Sequence, residues 1–101
     1  MLLLLSLVLA ADPTVGRGVY EANCTACHGL AGDGKGPAAL ALKVKPTDFT
    51  APIWWSTRTD ADVGASIRAG KPGTPMAAFS QLTEVEVADM VAYLRSLSKV
   101  P

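Results

Sequence analysis

The sequence predicts an all-α domain, and three observations carry the prediction. No run alternates apolar and polar residues with period two for long enough to make a strand, apolar residues recur at helical spacing in several segments, and those segments open on helix-capping residues. Only 18% of the 101 residues are charged, against roughly 25% in an average soluble domain, which excludes a disordered chain. Nine Lys+Arg balance nine Asp+Glu with no basic run or stripe, so neither nucleic acid nor an anionic membrane surface is expected as a partner.

The elements follow in chain order. Residues 1–10 read as a signal peptide: the MLLLLSLVLAA stretch has no charged side chain, matches the roughly 7–15 apolar residues of a signal core, and falls short of the about 20 that span a bilayer. Small residues place cleavage after Ala10 or Ala11, although the usual basic opening is missing. Residues 11–101 are then one exported domain, periplasmic or otherwise outside the cytoplasm. At that size a core needs help from a disulfide, a metal or a bound group.

Asp12 as N-cap, Pro13 at the first helical position, and Val15, Val19 and Ala22 on one face predict a helix over 13–26. Gly29, Gly32, Gly34, Gly36 and Pro37 then forbid regular structure and let backbone approach something closely. A short helix fits 37–42, after which Pro46 and Pro52 punctuate an irregular stretch up to Trp54 and Trp55. Thr59 and Asp62 form a capping box for a helix over 60–69, ended by Gly70. Residues 72–82 hold Pro72, Gly73 and Pro75 and no charge, an apolar loop suited to contact with something apolar. Thr83 and Glu86 make a second capping box, Leu82 and Val87 a hydrophobic staple, and Val87, Val91, Leu94 and Leu97 one apolar stripe.

Chemistry concentrates in Cys24-Thr25-Ala26-Cys27-His28, the C-x-x-C-H attachment signature for c-type haem. Two thiols three residues apart near a helix end project to one side, where they can add across the two vinyl groups of a porphyrin edge, and the next residue offers an imidazole to the iron. A thioredoxin-like or incidental disulfide lacks its βαβ setting, and structural zinc lacks four Cys or His ligands, since the chain has two Cys and one His. With a single histidine, a second axial ligand must come from elsewhere. Met76, in the uncharged loop, is preferred over Met90, whose place on the last amphipathic helix suits core packing, or over an open position.

The chain resembles the bacterial class I c-type cytochromes, small mono-haem electron carriers. The resemblance rests on NCTACHG at 23–29, GDGKGP at 32–37, KPTDF at 45–49, GKPGTPM at 70–76 and VAYLR at 91–95, and so covers nearly all of the mature chain. It implies a cytochrome c-like fold of a few short helices wrapped around one covalently attached haem, with the first and last helices crossing through Gly16, Tyr20 and Tyr93. It implies Cys24 and Cys27 as attachment points, His28 and Met76 as iron ligands, and the Pro37 carbonyl as partner of the other His28 nitrogen. Trp54, Trp55 and Arg58 would contact the propionates, and Phe79 would line the haem crevice. Ala77 stands where many relatives carry proline.

The function expected from the resemblance is one-electron transfer without catalysis, by a monomer shuttling between a donor and an acceptor redox protein, with docking on a membrane respiratory complex as one setting. An apolar patch of Pro75, Ala77, Ala78 and Phe79 would dominate docking. The alternatives are an open-site haem protein with ligand-binding or weak peroxidase activity, and a haem subunit of a larger oxidoreductase complex.

Overall fold

A computed structural model describes residues 10–99. The predicted leader lies almost wholly outside the described residues. Ala10 and Ala11 are exposed and in no regular element. Among the described residues there are five α-helices and no strand, and no helix is long and apolar enough to cross a membrane.

Helix α1 spans Pro13–Asn23. The Asp12 carboxylate accepts from Thr14 N at 2.9 Å, satisfying one of the orphan donors of the first turn, and Pro13 needs no partner there. The expected continuation to residue 26 is interrupted at Cys24 (φ −122°), and the chain resumes as α2, Thr25–His28. The interruption is a kink, because Cys24 N still donates to Tyr20 O (2.8 Å) and His28 N to Cys24 O (3.0 Å). Asn23 Nδ2 donates to Val19 O at 2.7 Å, competing with the backbone ladder just before the kink.

The glycine-rich stretch after α2 folds back along it. Gly34 N donates to His28 O (2.8 Å), Gly36 N to Cys27 O (3.0 Å) and Ala38 N to Ala26 O (2.8 Å), so the loop supplies the partners that the end of α2 lacks. Only glycine permits this approach at residue 36, where a Cβ would stand 2.4 Å from Ala26 O. The short helix expected over 37–42 is a single 3₁₀ turn, Ala39–Ala41. A four-residue helix α3, Pro52–Trp55, occupies ground expected to be irregular, with Pro52 in its first turn and Trp55 turned into the core.

Helix α4, Asp60–Ala69, has the expected bounds, α5 spans Glu84–Ser96 after the expected start at Thr83, and both capping boxes form. Thr59 Oγ1 accepts from Asp62 N (3.1 Å) while Asp62 Oδ2 accepts from Thr59 N (3.0 Å), and these bonds hold the Asp62 carboxyl below its ordinary pKa. Thr83 and Glu86 repeat the arrangement at 3.1 and 2.9 Å. Leu82 and Val87, the predicted staple, are both buried in the one core cluster.

The terminal helices cross where the resemblance places them. Gly16 lies against the α5 backbone, and Tyr20, fully buried, sets its ring 5.4 Å from that of Tyr93. The Tyr20 hydroxyl donates to Gly29 O at 2.5 Å, tying α1 to the residue after His28. Asp89, buried on α5, accepts from Asp12 N at 2.8 Å and so secures the start of α1 against its partner helix.

Candidate functional site

Helix α2, the 42–47 segment and the 71–79 loop enclose a cavity of ≈ 320 Å³, within the range of cofactor clefts. Cys24, Cys27 and His28 line it from α2 and the residue before it, and Met76 and Phe79 line it from the 71–79 loop. Leu42, Val44, Pro46, Pro75 and Ala77 make the remainder largely apolar, and Thr47 and Thr74 add hydroxyl groups. No Asp or Glu lines the cavity, whereas Lys45 and Lys71 do. An apolar slot with cations and no anions suits a flat hydrophobic group that carries carboxylates.

The two thiols are free and half-buried in the cavity wall. Burial pushes the Cys24 thiol up to about 11, with Cys27 adding to the rise. Its neighbour on the core side is Met90, with Sγ and Sδ 3.8 Å apart. No grouping of three or more His, Cys, Asp or Glu suited to a metal ion occurs among the described residues.

His28 is held by a backbone acceptor: its Nδ1–H donates to Thr47 O at 3.2 Å. A carbonyl can only accept, so the ring proton belongs to Nδ1 and the lone pair to Nε2, the form in which an imidazole binds a metal. Burial lowers the pKa of His28, with the Thr47 bond opposing in part, and the neutral ring is favoured. The face of the ring stacks on Phe49.

Met76 sits half-buried in a turn closed at both ends. Lys71 N donates to Met76 O (3.1 Å), Thr74 N to Lys71 O (3.1 Å), and Phe79 N to Ile67 O on α4 (3.0 Å). The loop therefore keeps a defined path without regular structure. Met90 is elsewhere: wholly buried on α5, packed with the core and absent from the cavity wall.

Four predicted site residues do not reach this cavity. Pro37 faces a second concavity beside Lys35, Leu40 and Lys45, and the carbonyl that meets His28 is that of Thr47, because the 29–38 loop spends its contacts on the α2 backbone. Trp55 is buried with its Nε1–H donated to Phe49 O at 2.8 Å. Trp54 packs edge-on to both Phe49 and Trp55, and Arg58 lies 4.5 Å above the Trp54 ring while donating to Trp54 O. These side chains satisfy one another. Thr47 and Phe49 were the residues that reading the sequence left without a role. The signal was present in KPTDF, which carried the resemblance, but nothing in a linear motif says which of its members turns inward.

A family model described as Cytochrome c matches residues 14–98. A Cytochrome c-553-like protein of Synechocystis sp. is 28% identical over 94 residues, covering 90% of this chain and 74% of that one. Among solved structures, a chain of the Kuenenia stuttgartiensis reducing HAO-like protein complex superposes with a TM-score of 0.75 at 32% identity, over 84% of this chain. This chain spans only 42% of that one. The KustC0563 c-type cytochrome superposes with a TM-score of 0.70 at 25% identity, over 83% of this chain and 98% of its own.

Proposed function

This chain belongs to the cytochrome c family, and from that premise we propose that it is a one-electron carrier whose haem iron is held between His28 and Met76. Family membership brings covalently attached haem c and haem-based electron transfer. The bound group supplies reversible one-electron cycling of its iron.

The observation that carries the proposal is the convergence on one cavity of two free thiols, an imidazole with its Nδ1 proton already committed, and a thioether from the 71–79 loop. Cys24 and Cys27 would form the thioether links. Thr47 fixes the tautomer that leaves His28 Nε2 free to ligate. Met76 would offer the iron a soft sulfur, which would favour the ferrous state and raise the potential above that of a bis-histidine site. Lys45 and Lys71 would neutralise the carboxylates of the group. With His28 and Met76 both holding the iron, no site at it would be left for a substrate, which favours a carrier over an enzyme.

Absorption spectra of the purified holoprotein test this. The ferric form should show the weak red charge-transfer band of thioether-ligated haem, and the ferrous spectrum should not move on adding carbon monoxide. A missing band with ready carbon monoxide binding would replace the carrier with an open-site haem protein.

A second reading, a haem subunit or domain of a larger assembly, is favoured by the structural likeness to a chain about twice as long within a protein complex. In either setting Pro75, Ala77 and Ala78 stand exposed beside the cavity mouth, so docking should be dominated by apolar contact with Lys45 and Lys71 as the local charges. Electron transfer to a natural partner should then fall only shallowly with ionic strength. A steep fall would mean charge steering.

A further inference from the structure

We infer that Phe49 is a positioning residue for His28, held in place by Trp55, so that the aromatic cluster behind α2 fixes the orientation of the imidazole. The Phe49 and His28 rings are stacked, centroids 4.8 Å apart and planes 27° from parallel. Two residues earlier in the same stretch, Thr47 O accepts the His28 Nδ1 proton. One hydrogen bond leaves a ring free to turn about the line of that bond; a flat neighbour on its face removes that freedom. The 47–49 stretch thus constrains the imidazole both at its edge and on its face.

The constraint matters only if Phe49 is itself fixed, and it is fixed on each side of its backbone. Phe49 N donates to Gly32 O (2.8 Å), which ties it to the glycine-rich loop, and Phe49 O accepts from Trp55 Nε1 (2.8 Å). Phe49 and Trp55 are 7% and 5% exposed, so neither bond competes with bulk water. Trp54 closes the cluster, edge-on to Phe49 at 5.4 Å and to Trp55 at 4.8 Å. Arg58 and Arg95 cap the outer faces of Trp54 and Trp55 at 4.5 and 4.6 Å. The tryptophans and Arg58, expected at the propionates, thereby acquire a different role: they buttress the plate against which His28 rests.

This inference rests on the proposal that His28 ligates the iron, where the orientation of the ring governs its overlap with the metal orbitals. Two variants of the haem-loaded protein test it. Phe49→Leu keeps an apolar side chain but removes the flat face, and Trp55→Phe keeps a ring but removes the Nε1 donor. The readouts are the ferrous-to-ferric ratio at a fixed ambient potential and the spread of haem methyl proton shifts in the ferric state, which reports the azimuth of an axial imidazole. Phe49→Leu should change the ratio threefold or more and redistribute the methyl shifts. Trp55→Phe should do the same, in the same direction, by less. Where Phe49→Leu fails to load haem, the milder Trp55→Phe decides. Loss of stability with ratio and methyl shifts unchanged would overturn the inference and leave Phe49 as core filling. The wild-type spectra judge the ligand proposal separately, since a missing thioether band or carbon monoxide binding there reflects the axial position and not the posture of His28.

Discussion

Met76→Ala in the haem-loaded protein is expected to abolish the red charge-transfer band and to let the ferrous form bind carbon monoxide at concentrations that leave the wild type unchanged. The side chain lies in the cavity wall on a loop whose path is set by backbone bonds, from Lys71 N to Met76 O and from Phe79 N to Ile67 O. Removing the thioether therefore opens a position without dismantling the loop. The control is Met90→Leu. Met90 is fully buried on α5, so a volume-conserving swap there should cost less than about 1.5 kcal/mol and leave both spectra intact. Met90→Ala would cost more, about 2–5 kcal/mol, through the cavity it creates, and again without opening the iron. If Met90→Leu removes the band and Met76→Ala keeps it, the assignment of the axial sulfur is reversed.

The contrast between the two methionines shows how much of the site the sequence made legible. An uncharged Pro/Gly loop has no helical face for Met76 to fill, while Met90 falls on an apolar stripe, and in the structure the first lines the cavity and the second the core. Helices α4 and α5 were equally readable, because their capping boxes are short-range hydrogen-bond patterns written within four residues. The kink at Cys24 was not readable. Around it, Cys24 Sγ packs against Met90 Sδ, 66 positions away, and the glycine loop returns to bond the α2 carbonyls, contacts that no local pattern announces. The same limit explains Trp54, Trp55 and Arg58. Their residue types suit propionate contacts, but their mutual packing and the Trp55 bond to Phe49 O lie in and around α3, which is too short to announce itself by periodicity. Thr47 acts through its carbonyl, a group every residue carries, so no residue type could have marked it.

Gly16→Ala is expected to destabilise the protein by about 3 kcal/mol or more, at or beyond the upper end of ordinary overpacking costs. A Cβ at residue 16 would stand 1.9 Å from Asp89 O, 2.3 Å from Asp89 C and 2.8 Å from Met90 N. All three are α5 backbone atoms, so no side-chain rotation relieves the clash and the two helices must separate. Separation would also loosen Asp89 from Asp12 N, and would pull Tyr20 away from Tyr93 and from Gly29 O. Gly29 adjoins His28, so damage at the crossing should be felt in the site as a more labile axial ligand. Gly18 supplies the internal comparison, because it lies in the same helix with nothing within 4 Å of its would-be Cβ. There the helix preference of alanine acts alone, and Gly18→Ala should gain up to about 1 kcal/mol. Thermal unfolding of the two haem-loaded variants reads the difference directly, at roughly 4–8 °C per kcal/mol for a domain of this size. The melting temperatures should move in opposite directions from wild type. Were Gly16→Ala to melt at or above the wild type, the close crossing of α1 and α5 would have to be abandoned, and with it the mechanical tie from that crossing through Tyr20 to the histidine.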